Sequence, residues 1–338
     1  LEGDKWDVQS GGKYYVIRNS SSIIAFEMPK KDFGAFMICA SHTDSPSFKL
    51  KPDFEINADG CIKLSVEGYG GMIMSSWLDR PLSISGRIVI AKDGKIETKL
   101  INVDRNLLVI PSLAIHMSRD INKGYEFNIR RDMCPIASEK NGRIEDIIAE
   151  CVGVDKEEIL GFDLSLYNRM RGTVLGTDGE YFSAPRIDDL QCMYSTLEGF
   201  LNSESDDNVT VFAAFDNEEV GSGTKQGAKS SFLRDVLERI CDNSETYKRA
   251  VAKSFMLSCD NAHAVHPNFA DKSDGTNRVY MNGGIVIKYN ANQRYTTDAV
   301  SEAVVKYVCK NAGVPYQMYA NRSDIPGGST LGNLSNEK

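Results

Sequence analysis

The sequence predicts an α/β fold: a mixed, mostly parallel sheet flanked by helices, with a β-rich domain inserted into it. Three observations carry this expectation. After about residue 165, buried-strand runs alternate with helical patterns, as a parallel layer requires. Between about residues 47 and 160 the pattern changes to short β-patterned runs parted by Gly-rich turns such as Gly68-Tyr-Gly-Gly71 and Lys92-Asp-Gly94. The length of 338 residues suits two domains of about 100–200 residues each. The expected division is a discontinuous larger domain, 1–46 with 161–338, and an inserted domain, 47–160.

The elements follow in order. Tyr14 to Arg18 and Ile23 to Met28, joined by Asn19-Ser-Ser-Ser, read as a strand pair. Ala35 to Ala40 is a buried-strand run, and Leu82 to Ile90 is a strand of the inserted domain. Asp188 to Leu201 carries apolar residues at 190, 193, 194, 197, 200 and 201, a helical spacing. Asn208 to Phe215 is a buried strand, Phe232 to Ile240 a second helix, and Ser254 to Cys259 another buried strand. Asp298 to Ala312 reads as a helix stopped by Gly313, and Val314 to Ala320 as a strand.

Composition excludes several classes. Apolar residues make up 41% and charged residues 25%, so the chain is neither disordered nor collagen-like. With 39 basic and 47 acidic residues the net charge is −8, which gives no global attraction to nucleic acid or an anionic membrane. No apolar run reaches the roughly 18–20 residues of a membrane span. The eight cysteines include no CxxC pair and read as reduced thiols, which points to the cytoplasm and away from a thiol-ligated metal. The chain opens at Leu1 with no signal-peptide pattern and stops soon after a Gly-rich turn, so both natural ends are expected to lie outside it.

The chemistry gathers where strands end. One run ends in His42 and Asp44, another in Asp216-Asn217-Glu218-Glu219, and a third in Asp260-Asn-Ala-His263-Ala-Val-His266. In open α/β sheets, ligands bind outside the carboxyl ends of the strands, where such clusters can converge. A fourth cluster, Pro185-Arg-Ile-Asp188-Asp189, opens a helix; two acids there suit helix capping as well as metal binding. Only four histidines occur, and His42, His263 and His266 all lie in these clusters; the fourth is His116. His42 in the string His-Thr-Asp has the pattern of an imidazole ligand with an acid placed to hold its second nitrogen. Of Glu218 and Glu219, one carboxylate can ligate a metal while its neighbour reaches a water and acts as a base.

In order along the chain, His-Thr-Asp-Ser-Pro, Pro-Arg-Ile-Asp-Asp, Asp-Asn-Glu-Glu-Val-Gly-Ser, Ser-Cys-Asp-Asn-Ala-His-Ala-Val-His-Pro-Asn and Asn-Gly-Gly-Ile-Val-Ile-Lys resemble the motifs of the aspartyl aminopeptidase and aminopeptidase I family of zinc metallopeptidases. The resemblance spans nearly the whole chain. It implies a zinc exopeptidase-like fold, a peptide substrate and two Zn²⁺ per subunit, with cobalt or manganese as substitutes. By motif position it implies that His42 binds one metal, Asp188 bridges both, and Glu219 and Asp260 each take one. Glu218 is then the general base and Asp44 orients His42. The last ligand of the family falls beyond Lys338. The inserted domain is expected to build dimers that assemble into a dodecamer, with His116 reaching the active site of a neighbouring copy.

The candidate substrate-binding residues are Lys288, Tyr295, Gly328 and Ser329. Alternation sets Lys288 on the face opposite Ile287, where a solvent-facing edge lysine is the plain reading. The resemblance implies instead that Lys288 lines a pocket for an acidic first residue, although some family members prefer Leu. Two other functions stand beside the aminopeptidase: a two-zinc amidohydrolase of other specificity, such as a deacylase or carboxypeptidase, and a non-catalytic shell or peptide-binding protein on the same fold. The intact Glu218-Glu219 pair argues against the last, since a binder needs no base.

Overall fold

The apolar runs near the start of the chain become strands β1 (Lys13–Arg18), β2 (Ser22–Glu27) and β3 (Phe36–His42) in the computed structural model, which describes residues 2–139, 142–204, 207–325 and 327–328. β1 and β2 pair antiparallel across a turn in which Asn19 and Ser20 take positive φ.

The chain divides into two compact units, Leu1–Asp44 with Arg186–Lys338, and Ser45–Pro185. The second unit holds β4 (Ser47–Ala58), β5 (Cys61–Tyr69), β6 (Leu82–Lys92), β7 (Lys95–Asn102), α1 (Ile129–Asp132), β8 (Ile136–Glu139), α2 (Ile144–Val152) and β9 (Ile159–Asn168). Its six strands form one antiparallel sheet in the order β7-β6-β9-β4-β5-β8. Phe48, Leu64, Leu82, Ile84, Ile88 and Leu166 are buried in its core. The β6–β9 ladder runs from Leu82↔Asn168 to Ile90↔Ile159, which keeps the residues just beyond 160 with this sheet. A hairpin of β10 (Thr173–Leu175) and β11 (Tyr181–Ser183) follows.

The first unit resumes with α3 (Ile187–Leu201), β12 (Val209–Phe215), α4 (Phe232–Ile240), α5 (Ser244–Lys253), β13 (Phe255–Ser258), β14 (Ile285–Tyr289), α6 (Ala299–Ala312) and β15 (Tyr316–Ala320). Its main sheet has the order β1-β2-β12-β3-β13, parallel at β12/β3 and β3/β13 and antiparallel at β1/β2 and β2/β12. β14 and β15 pair parallel in a sheet of their own. β12 is apolar at every position but Thr210 because both its faces are covered. Val211, Ala213 and Phe215 share a core with Phe232, Leu233, Val236 and Leu237 of α4. The alternate residues Phe212 and Ala214 pack with Phe200 of α3. Burying one such large side chain is worth about 1.5–3 kcal/mol.

Helix ends follow local chemistry. The Asp298 side chain caps α6 by accepting from the backbone N–H groups of Val300 and Ser301, and Gly313 ends that helix in the left-handed conformation. α5 has no strong apolar stripe in sequence; it is capped by Asn243, which accepts from the Thr246 N–H at 2.9 Å, and buries Tyr247 and Ala250. Among the described residues, no helix is long and apolar enough to cross a membrane.

Candidate metal centre

Parallel pairing brings three strand ends to one edge of the main sheet. Phe215, the last residue of β12, is in register with His42, the last of β3. On the other side Ser258 pairs with Ala40, and the Cys259 N–H donates to the Ala40 carbonyl at 2.7 Å, so Asp260 follows directly. The fourth cluster arrives at the start of α3. Asp188 and Asp189 have non-helical backbone angles there, behind a left-handed Arg186, and the peptide between the two aspartates is cis.

Donor atoms of His42, Asp188, Asp189 and Asp260 all lie within 4.8 Å of one another, the one such group among the described residues. His42 is 2% exposed and Asp189 is fully buried. His42 Nε2 stands 3.6 Å from Asp188 Oδ1, and the His42 backbone N–H donates to Asp189 Oδ2 at 3.2 Å. On the other edge of the ring, Nδ1 is 3.0 Å from the Asp44 carbonyl oxygen and 3.4 Å from Asp44 Oδ1. The Asp44 carboxylate also accepts from the backbone N–H of Glu218 at 3.0 Å and of Glu219 at 3.1 Å. One acid therefore holds both the imidazole and the turn that carries the glutamate pair.

That turn is a single 3-10 turn, Glu218–Val220, rather than an extension of the strand. Asn217 enters it in the left-handed conformation, and its buried Oδ1 accepts from Thr224 Oγ1 and Gln226 Nε2, both at 2.8 Å. Glu218 and Glu219 line a cleft of about 800 Å³ together with His42, Asp188 and Asp260.

The electrostatics are those of a crowded anionic site. Burial pushes Glu218 up to about 6 and Glu219 up to about 7, and neighbouring carboxylates add to the rise. Burial likewise raises Asp189 to about 6. Burial alone would lower the His42 pKa, but hydrogen bonds to Asp188 and Asp44 outweigh it and hold the ring up at about 11. His42 in turn keeps Asp188 below the usual carboxylate range, while burial raises Asp260. Asp189 Oδ1 is buried with no hydrogen-bond partner. An imidazole and several carboxylates gathered around an unpartnered buried oxygen form a nitrogen–oxygen donor set suited to zinc, and a divalent cation offsets the crowded charge.

The other expected residues have these places. Lys288 on β14 is largely buried, with Nζ 2.6 Å from the Asn261 carbonyl oxygen, 3.7 Å from Asp260 Oδ2, and 5.4 Å from the centre of the Tyr295 ring. Lys288, Tyr295 and Gly328 all line the cleft, as do His263 and His266. Ser329 lies outside the described residues. Glu219 lines the cleft but is not part of the tight donor group, whereas Asp189 is. In the sequence the two aspartates look alike; only the backbone turn at Arg186 aims both toward His42. His116 lies in the second unit on an exposed stretch with Leu113, Ile115 and Met117. A second cleft, of about 630 Å³, also belongs to that unit; Leu50, Phe54, Ile148 and Phe162 make it largely apolar.

The chain is similar to known proteins over nearly its whole length. A protein of Clostridium acetobutylicum named "Probable M18 family aminopeptidase 2" is 45% identical over 352 residues, spanning 99% of this chain and 81% of its own length. The cryo-EM structure of the Ape4 and Nbr1 complex contains a chain with a TM-score of 0.95 at 34% identity, covering 99% of this chain and 71% of that one. The S. cerevisiae mApe1 dodecamer matches with a TM-score of 0.79 at 28% identity, covering 97% and 76%. The sequence profile of the aminopeptidase I zinc metalloproteases (M18) matches residues 1–338. With a profile match over residues 1–338 and a relative 45% identical over 99% of them, the chain belongs to the M18 aminopeptidase I family of zinc metalloproteases.

Proposed function

We propose that the cleft hydrolyses the first peptide bond of peptides with a free N-terminus, at a centre of two zinc ions. The observation that carries this is the link through Asp44: one carboxylate touches the His42 ring edge and holds the backbone of both Glu218 and Glu219. His42, Asp188, Glu219 and Asp260 would hold the metals, with Asp188 shared, and cobalt or manganese could replace zinc. Asp189 backs the His42 main chain. When bound, zinc would supply Lewis acidity, which would polarise the scissile carbonyl and make a water acidic enough to give up a proton. Glu218 takes the proton from the attacking water and returns it to the leaving amine. Asp44 keeps the His42 ring and the Glu218 turn in fixed relation. Lys288 receives an acidic first side chain at the wall of the cleft, and Tyr295 and Gly328 line the same wall; Ser329 is assigned to substrate on motif position alone.

We further propose that the second unit builds dimers, and that the working enzyme is a dodecamer like its mApe1 relative. The exposed apolar stretch at Leu113, Ile115 and Met117 supports an interface there. His116 of that stretch then serves the active site of a neighbouring copy by stabilising the developing oxyanion. The free cysteines suit a cytoplasmic enzyme.

A panel of aminoacyl chromogenic substrates and short peptides, free and acetylated, tests the reading after dialysis against zinc, cobalt or manganese. Release of the first residue from free but not acetylated substrates is expected. Cleavage of the acetylated set, or release from the carboxyl end, would replace the aminopeptidase by a deacylase or a carboxypeptidase. Metal-replete protein without turnover on any of them would leave a peptide-binding shell.

A further inference from the structure

Two segments outside the metal ligands form the wall of the catalytic cleft. One runs on from Asp260 through His266 and Phe269 to a short helical turn at Ala270–Lys272 and then Asp274. The other leaves β15 through Asn321 and Arg322 and reaches Ile325 and Gly328. Arg322 connects them. Its Nε donates to Asp324 Oδ1 at 2.5 Å and its Nη2 to Asp324 Oδ2 at 2.7 Å, a two-pronged pair that fixes the plane of the guanidinium. The remaining prong, Nη1, donates to the Asp271 carbonyl oxygen at 2.5 Å, across a sequence separation of 51.

We propose that Arg322 is a positioning residue for peptide binding: a clasp that holds the post-β15 segment against the helical turn at Asp271 and so sets the width of the cleft. The proposal rests on the aminopeptidase reading of the cleft and adds a residue outside the expected catalytic and binding set. The chemistry favours a clasp over a direct substrate contact. Nε and Nη2 already donate to Asp324 and Nη1 to a main-chain carbonyl, so each of the three nitrogens is tied within the fold and one N–H on each Nη is left. Lysine could not replace it, because an ammonium lacks the planar fork that meets a carboxylate and a carbonyl together. The reacting groups stand apart from the clasp. His42, the Glu218 turn and Asp260 are placed by β3, β12 and β13, and none of these strands is joined by Arg322. Opening the clasp should therefore weaken peptide binding more than it slows the chemical step.

The test uses the full chain, zinc-loaded, with a free tripeptide and its C-terminal amide. Arg322→Ala is expected to raise KM for both peptides by about tenfold or more, as loss of a charge-assisted hydrogen bond does, while kcat falls far less. Asp324→Asn should move KM in the same direction. The double variant should match Arg322→Ala alone, because the two side chains act as one device. Arg322→Lys should not restore the wild-type KM. Hydrogen exchange gives a readout that needs no turnover: amides of residues 262–274 should exchange faster in both single variants, with zinc content and Tm held near wild type. If wild-type protein releases no first residue but exchange still quickens, the aminopeptidase reading fails and the clasp stands. Unchanged KM and unchanged exchange in an active enzyme would overturn the clasp. So would a KM rise confined to the peptide with a free carboxylate, which would make Arg322 a substrate contact, or a kcat loss that tracks lost zinc, which would make it a support of the metal centre.

Discussion

The Asp44 carboxylate offers one oxygen to each backbone N–H of the Glu218-Glu219 pair while it lies against the His42 ring. Because Glu218 is held through its main chain, its side chain can be changed with little disturbance to the turn. Glu218→Gln is therefore expected to keep its zinc, measured by elemental analysis, and to lose about 10²–10⁴-fold in kcat, the usual contribution of a general base. Near-normal kcat in zinc-replete Glu218→Gln protein would remove Glu218 from that role. Lys288 invites a second test, because Asp260 and the Asn261 carbonyl already engage it. Lys288→Met should lower kcat/KM for Asp and Glu substrates more than for Leu substrates; an equal loss on all three would show that its contacts with 260–261 are its whole function. At this scale the sequence was readable where chemistry is unusual for its place. His42 and Asp260 stood out as metal-type residues ending apolar runs. Asp189 did not, because adjacent acids at a helix start look alike until the backbone angles at 186–189 decide where each points. The contacts of Lys288 were hidden for a similar reason: alternation assigns a side to a strand residue but cannot name what stands on that side.

At the scale of elements, amphipathic and fully apolar runs were legible and partners were not. α4 carries its core residues at helical spacing and β12 is apolar on both faces, so both followed from pattern. That β14 and β15 pair in a separate sheet did not follow, since pattern marks strands without saying which edges meet. α5 was missed because its buried face is only Tyr247 and Ala250. Caps give this scale its own test. The Asp298 carboxylate accepts from the Ser301 and Val300 N–H groups at the start of α6, which depresses its pKa. A group whose folded pKa lies below its unfolded value, about 3.9 for Asp, adds stability above that value and loses it as pH falls through the folded one. Asp298→Ala should thus lower Tm at pH 7, and the gap between variant and wild type should narrow below about pH 4. A gap of constant size across pH 3–7 would show that the carboxylate charge plays no part in the cap.

For the whole molecule, membership of the M18 aminopeptidase I family makes this chain a zinc metalloprotease of the aminopeptidase type. The proposed sharing of sites between copies has a direct test. His116→Ala and Glu218→Gln subunits, each inactive alone, should regain partial activity when unfolded together and reassembled, because some sites then receive an intact His116 and an intact Glu218. Mixed oligomers verified by mass spectrometry that stay inactive would confine each active site to one copy. The strand β9 carries the second unit past residue 160, which a break in composition does not reveal, because such a break need not coincide with the end of a ladder.

The discontinuous first unit also sets a timetable. β3 finds its neighbours only in β12 and β13, and Phe36 pairs with Val209, which lies 173 positions later. At the roughly 5–20 residues per second of protein synthesis, that interval lasts about 10–35 seconds. During it the contiguous stretch Ser45–Pro185 has all of its own sheet partners, while Phe36, Ile38 and Ala40 have none. A ribosome-bound chain halted before residue 209 should therefore present a folded β-rich unit preceded by an exposed apolar strand, a natural foothold for chaperones that guard nascent chains.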